Sequence, residues 1–177
     1  REDSRRGETD HSLISTAFYA HSLDVVARTA RVLGKNNDAV YYEKLFKQAK
    51  HVFQQHFFDS QGKLKVGDQT QTSYLLAIGF DLLDQELAKK AKPHLLAQFQ
   101  KTGGHLRTGF LGTPLIAPVL EKIGRPDIAL ELVFKETYPS WLYSVSQGAT
   151  TMWERWDGFT HDGGYAKEAG SLNHYAY

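Results

Sequence analysis

Two kinds of helix-forming segment alternate along this chain, and that alternation restricts its fold more than any other feature. Residues 72–83, TSYLLAIGFDLL, are apolar on every side, a pattern that suits a helix enclosed by other protein. Residues 38–57 differ: Tyr42, Leu45, Phe46, Ala49, Val52 and Phe53 fall on one stripe, with Lys44, Lys47 and Lys50 elsewhere. That segment is expected to bury one side only. A first helix, with Ser15 or Thr16 as its cap and Gly34 as its stop, carries Ala17, Phe18, Ala20, Leu23, Val25, Val26, Ala30 and Leu33 on more than one face, so it is expected to be enclosed. Residues 1–12 are expected to be irregular. Residues 84–101 are charged on one face, with Leu87, Ala88, Ala91 and Leu95 on the other, and Pro93 is expected to kink or split the helix. Beyond the link GGHLRTGFLGTP, helices are expected over residues 114–123, ended by Gly124, and from Pro126 to about Thr137. A loop rich in Ser, Gly and Thr follows, and Asn173 is placed to cap one last helix.

Enclosed and one-faced helices thus recur as a hairpin about every 45–50 residues. A solenoid stacks such hairpins in a line; an α/α toroid closes them into a ring with inner helices buried on both sides. The long irregular segments HLRTGFLGT and SVSQGATTMWERWDGFTHDGG favour the toroid, whose inner-helix loops gather at one mouth and make a pocket. The fold class is therefore read as all-α, an α/α toroid. Roughly three and a half hairpins are present where a closed six-hairpin ring needs about twice as many residues. Residues 1–177 are accordingly expected to form a partial barrel domain, a fragment of a ring.

Composition removes several classes of function. With 21 Lys+Arg against 20 Asp+Glu, the chain lacks the concentrated basic charge that a nucleic-acid or anionic-membrane partner needs. It contains no cysteine, hence no disulfide and no thiolate metal site. The eight histidines do not place two on one helical face with a carboxylate, so neither a metal nor a cofactor is expected. Gly103, Gly104, Gly109 and Gly112 are not followed by Gly-Lys-Ser/Thr and form no phosphate loop. No apolar run approaches the ~20 residues that span a bilayer. The polar start is no signal peptide, which leaves the compartment open with the cytoplasm slightly favoured. Nothing in the sequence reports the oligomeric state.

The densest chemical constellation is GATTMWERWDGF, residues 148–159. Trp153 and Trp156 flank Glu154 and Arg155, and Asp157 follows. Indole faces stack on the apolar face of a sugar ring, while carboxylate and guanidinium bind its hydroxyls by charge-assisted hydrogen bonds. A carboxylate beside aromatic walls can also act as acid or base in glycoside hydrolysis. The bland alternative is a surface loop with Glu154 and Arg155 paired for charge and the indoles in the core.

Taken in order, ISTAFYAHSLDVVARTARVLGK, YYEKLFKQAK, TQTSYLLAIGFDLL, HLRTGFLGTP, YPSWLYSVSQGATTMWERWD and LNHYAY resemble the bacterial and fungal α-L-rhamnosidase family, glycoside hydrolase family 78. The likeness runs from about Leu13 to Tyr177, and its most specific blocks are TGFLGTP, YPSW, GATTMWERWD and NHYAY. It implies the C-terminal part of a catalytic (α/α)6 barrel of the six-hairpin glycosidase type. Glu154 matches the family's general base and His174 a histidine of the substrate pocket. Trp153, Arg155 and Trp156 frame the base in the same motif, and Trp141 of YPSW either lines the sugar pocket or anchors the core. The implied reaction is inverting hydrolysis of terminal α-L-rhamnose from glycosides or polysaccharides. The general acid of the family sits in an upstream Asp-x-x-x-Arg-x-Glu motif that this sequence lacks, so the isolated chain is expected to be inactive or nearly so. AKEAGSL, before NHYAY, also departs from the family pattern. Two other readings fit the helical pattern: a non-catalytic helical-repeat binding module, and an α/α-toroid enzyme acting on another sugar.

Overall fold

The computed structural model describes residues 8–166 and 170–175. The chain divides into two compact units, Arg1–Leu95 and Leu96–Tyr177, the boundary falling inside the fourth helix.

The first unit is built on a helical hairpin. Helix α1 (His11–Val32) starts at Asp10, whose carboxylate accepts the Leu13 amide at 3.0 Å. It therefore begins inside the stretch expected to be irregular and several residues before Ser15 or Thr16. Asp10 takes the cap because its side chain reaches the amide three residues on while its own backbone is not yet helical. Hydrogen bonds from Ser12 and Leu13 hold the Asp10 carboxyl below the usual carboxylate range. At the other end, Gly34 takes a left-handed conformation (φ 70°) and Lys35 N–H closes on the Ala30 carbonyl at 2.8 Å, as in a Schellman stop.

The turn brings α2 (Asn36–Phe57) back along α1. Helix α1 buries one stripe, Leu13, Ala17, Ala20, Leu23, Ala27 and Ala30, whereas Val25, Val26 and Val32 are exposed. The enclosure expected from the sequence is thus not completed by the described residues. Helix α2 buries Phe53 and Phe57, with Leu45, Phe46 and Ala49 half-buried; Val52, expected on the same stripe, is 58% exposed. Spacing puts Val52 at the edge of the stripe, beside Phe53 but about 100° round the helix.

Phe53, Phe57 and Phe58 form one aromatic cluster that extends to Tyr74 of α3 (Gln71–Gly79). Every residue from Gln71 to Ile78 is buried, as the all-round apolar pattern requires. Tyr74 OH donates to Gln69 Oε1 and accepts the Leu64 amide at 3.2 Å, and Gln69 Nε2 donates to the Leu64 carbonyl. Gln69 is thereby part of a structural link. The turn before it needs Gly62: its φ is 73°, and an added Cβ would lie 2.5 Å from the Ala91 nitrogen. Helix α4 (Gln85–Lys101), capped by Asp84 at the Leu87 amide, runs unbroken through Pro93. The ring is exposed, so water can satisfy the carbonyl that proline leaves without a donor.

The second unit follows α4 through paired glycines. Gly104 N–H closes on Phe99 O at 2.8 Å, and Lys135 Nζ donates to the carbonyls of both Gly103 and Gly104. A 3₁₀ turn (Thr113–Leu115) leads into α5 (Ile116–Lys122), which packs on α6 (Pro126–Val133). Helix α6 stops at Val133, short of the expected Thr137. The loop beyond it contains two elements that periodicity does not announce: a short helix α7 (Trp141–Ser146) and a two-stranded hairpin, β1 (Phe159–Thr160) and β2 (Gly164–Tyr165). The last helix, expected to begin directly after Asn173, is not formed at His174 and Tyr175, and residues 176–177 lie outside the described residues.

Candidate active site

The site grows from YPSW. The Tyr138–Pro139 peptide is cis, and Ser140, buried, caps α7 by accepting the Tyr143 amide at 3.0 Å. Capping at Ser140 makes Trp141 the first helical residue. Its indole meets that of Trp156 edge-to-face, centroids 5.6 Å apart and planes at 87°, a favoured geometry for two quadrupoles. One turn on, Ser144 Oγ donates to the Trp156 carbonyl at 3.0 Å. Helix α7 therefore fixes the far end of the WERW motif twice, once by ring and once by backbone.

The near end is fixed from the other side. Antiparallel β1 and β2 pair Phe159 with Tyr165 and Thr160 with Gly164, around an Asp162-Gly163-Gly164 turn in which Gly163 N–H donates to Thr160 Oγ1. Gly164 has φ 66°, which such a tight connection needs. The chain direction is thereby reversed, and residues 171–174 come alongside residues 151–154. His174 N–H donates to Met152 O at 2.8 Å, and Glu154 N–H to Ser171 O at 2.8 Å. Thr151 Oγ1 adds a bond to Leu172 O. Residues 167–169, within AKEAGSL, lie outside the described residues.

This lacing brings Glu154 and His174, far apart in sequence, onto two paired segments. The Glu154 side chain is half-buried, and its Oε2 accepts the Ser171 amide at 2.8 Å. A backbone donor on a carboxylate oxygen fixes its orientation. The His174 ring lies 5.3 Å from that of Phe110, at 41°, so NHYAY and TGFLGTP meet there. The His174 Nδ1 is shut off from solvent.

The remaining residues of the constellation have distinct surroundings. Arg155 Nε lies 3.3 Å from Asp157 Oδ1, in a partly buried ion pair. Trp156 and Trp141 are half-buried. Trp153 is only 6% exposed, with its ring beside Gly158, so it packs beneath the motif. Sequence reasoning did not find the Ser171 amide or the Phe110 ring. A backbone N–H has no residue signature, although the Asp-Gly-Gly turn is a hairpin signal that could have foretold the pairing. Among the described residues, no group of three or more His, Asp or Glu is placed to hold a metal ion, and no helix is long and apolar enough to cross a membrane.

Residues 2–177 match the family model of the bacterial alpha-L-rhamnosidase six-hairpin glycosidase domain. Curated α-L-rhamnosidases of Formosa agariphila and Alteromonas sp. are each 50% identical over 175 residues, which is 98% of this chain and 19% of theirs. Among solved structures, the Streptomyces avermitilis α-L-rhamnosidase complexed with L-rhamnose superposes with a TM-score of 0.89 at 44% identity, over 97% of this chain and 16% of that one. The native Aspergillus terreus enzyme gives 0.89 at 32% identity, over 96% and 20%. The chain thus spans a fifth or less of the length of these relatives.

Proposed function

The chain belongs to the bacterial α-L-rhamnosidase six-hairpin glycosidase family, and from that premise we propose that it supplies the base-bearing part of a site for inverting hydrolysis of terminal α-L-rhamnosides. The observation that carries this reading is the Glu154 carboxylate, half-buried in WERW and oriented by the Ser171 amide at 2.8 Å. L-Rhamnose is the sugar held by a relative at 44% identity, which supports the same sugar here.

In the proposed reaction Glu154 takes a proton from a water lying against the anomeric carbon. The water oxygen forms a bond to that carbon as the glycosidic C–O bond breaks, its electron pair leaving with the aglycone oxygen. A carboxylic acid on the opposite face protonates that oxygen, and the two carboxyl groups stand about 6.5–9.5 Å apart to admit the water. The Ser171 amide holds Glu154 in place, Arg155 and His174 offer donors to sugar hydroxyls, and the indoles of Trp156 and Trp141 offer apolar faces to the ring. Trp153 supports the motif from below. The acid belongs to the Asp-x-x-x-Arg-x-Glu motif that these 177 residues lack, so the chain by itself carries the base half of the site and little activity.

The stereochemistry of the product tests this directly. Proton NMR of the full-length enzyme acting on an α-L-rhamnoside is expected to show the β-anomer of L-rhamnose first, with the α-anomer growing in by mutarotation. The α-anomer as first product would rule out a single displacement with Glu154 as base.

A further inference from the structure

Several glycines of the second unit sit where the backbone turns into a left-handed conformation, as Gly104, Gly124, Gly148 and Gly164 do. At Gly170 it is the space beside the backbone that is informative. The closest contacts of a side chain there would come from one residue. A Cβ at Gly170 would lie 2.9 Å from Glu154 Oε2, 3.0 Å from Glu154 Cβ and 3.1 Å from Glu154 Cδ. All three of the nearest atoms belong to the side chain proposed as the base. Gly62 makes the contrast: the atoms a Cβ would meet there are backbone of α4, so that glycine serves the fold.

We infer that Gly170 is a positioning residue for Glu154, its missing side chain letting the Ser171 amide reach the carboxylate and hold it against the sugar. This inference rests on the reading of Glu154 as the base. Two bonds of 2.8 Å, Ser171 N to Glu154 Oε2 and Glu154 N to Ser171 O, require close approach of the two segments. A methyl group at position 170 leaves two ways out. Either the flexible carboxylate swings aside or the 170–171 segment lifts off, and both separate Oε2 from the amide. A swing of the side chain costs the fold little, because the carboxylate is the movable end. It costs the reaction more, because displacing a reacting group by about 1 Å lowers the rate about 10²-fold.

The test is kinetic, in the full-length enzyme. Gly170→Ala is expected to lower kcat on p-nitrophenyl α-L-rhamnoside by about ten- to a hundredfold, with KM within about threefold and Tm within about 3 °C. Glu154→Asp sets the carboxylate one methylene back and so removes the closest contact, that at Oε2. In that background Gly170→Ala is expected to cost less than about twofold. Three results overturn the inference while leaving Glu154 as base: an unchanged kcat in Gly170→Ala, an equal loss in both backgrounds, or a drop in Tm beyond about 10 °C that marks a glycine needed by the fold. Full turnover by Glu154→Gln sinks the base itself, and this inference with it.

Discussion

Glu154→Gln in the full-length enzyme is expected to lower kcat on p-nitrophenyl α-L-rhamnoside by about 10²–10⁴, the range for losing general-base assistance. The substitution keeps the shape and the hydrogen-bond acceptor. The Ser171 amide, 2.8 Å from Oε2, can still donate to the glutamine oxygen, and the pair loses only its charge assistance, about 1 kcal/mol. Folding should therefore survive, with circular dichroism and Tm close to those of the parent. What the glutamine cannot do is accept a proton from water. KM should move little, because a base that acts on water in the transition state adds little to ground-state binding. Near-normal turnover in a folded Glu154→Gln variant would remove this residue from the mechanism.

The largest expected effect on stability comes from Phe53→Ala, at about 3–5 kcal/mol. Phe53 is wholly buried and sits at the centre of the first unit's aromatic cluster, 5.0 Å from the Phe57 ring and 5.9 Å from the Phe58 ring. The cluster continues to Tyr74, 5.8 Å from Phe58, and Tyr74 OH in turn accepts the Leu64 amide. Truncation removes the transfer free energy of a ring and leaves a cavity whose walls belong to α2, to the chain just after it and to α3. Those walls are held by the Gly62 turn and by the Gln69 hydrogen bonds, so they cannot easily collapse into the space. Urea unfolding followed by circular dichroism measures it. A loss below about 1 kcal/mol would mean that the cluster repacks and that α2 is not fixed through Phe53.

How much of this was legible beforehand depended on the kind of interaction. Helix α3 was plain because eight successive buried positions leave an apolar signature on all sides. The α1 stop was plain because Gly34 is a residue-level signal. Its start was misplaced because Asp10, Ser15 and Thr16 are all competent caps, and only the backbone decides which amide is orphaned. Pro93 suggested a break, yet a proline on the solvent side of α4 is tolerated. Helix α7 and the β1–β2 hairpin are too short to establish a period.

At the site, Glu154 and its indoles stood out by residue type, and the order of the motifs suggested the family. Periodicity could not choose between solenoid and toroid. The match to the six-hairpin glycosidase domain along residues 2–177 does: the chain is a mostly helical portion of such a domain, with the small hairpin added. The pairing of the 151–154 and 171–174 segments could not be read from composition at all. It is made by backbone amides, beside a glycine at which the three atoms nearest to an added Cβ belong to Glu154.

The most direct measurement is a crystal structure of the full-length Glu154→Gln variant with an intact α-L-rhamnoside bound. The expected result is a water between the side chain at position 154 and the anomeric carbon, within about 3.2 Å of the side chain and on the face opposite the leaving oxygen. A sugar bound with its anomeric carbon turned away from residue 154, with no water between them, would contradict the account.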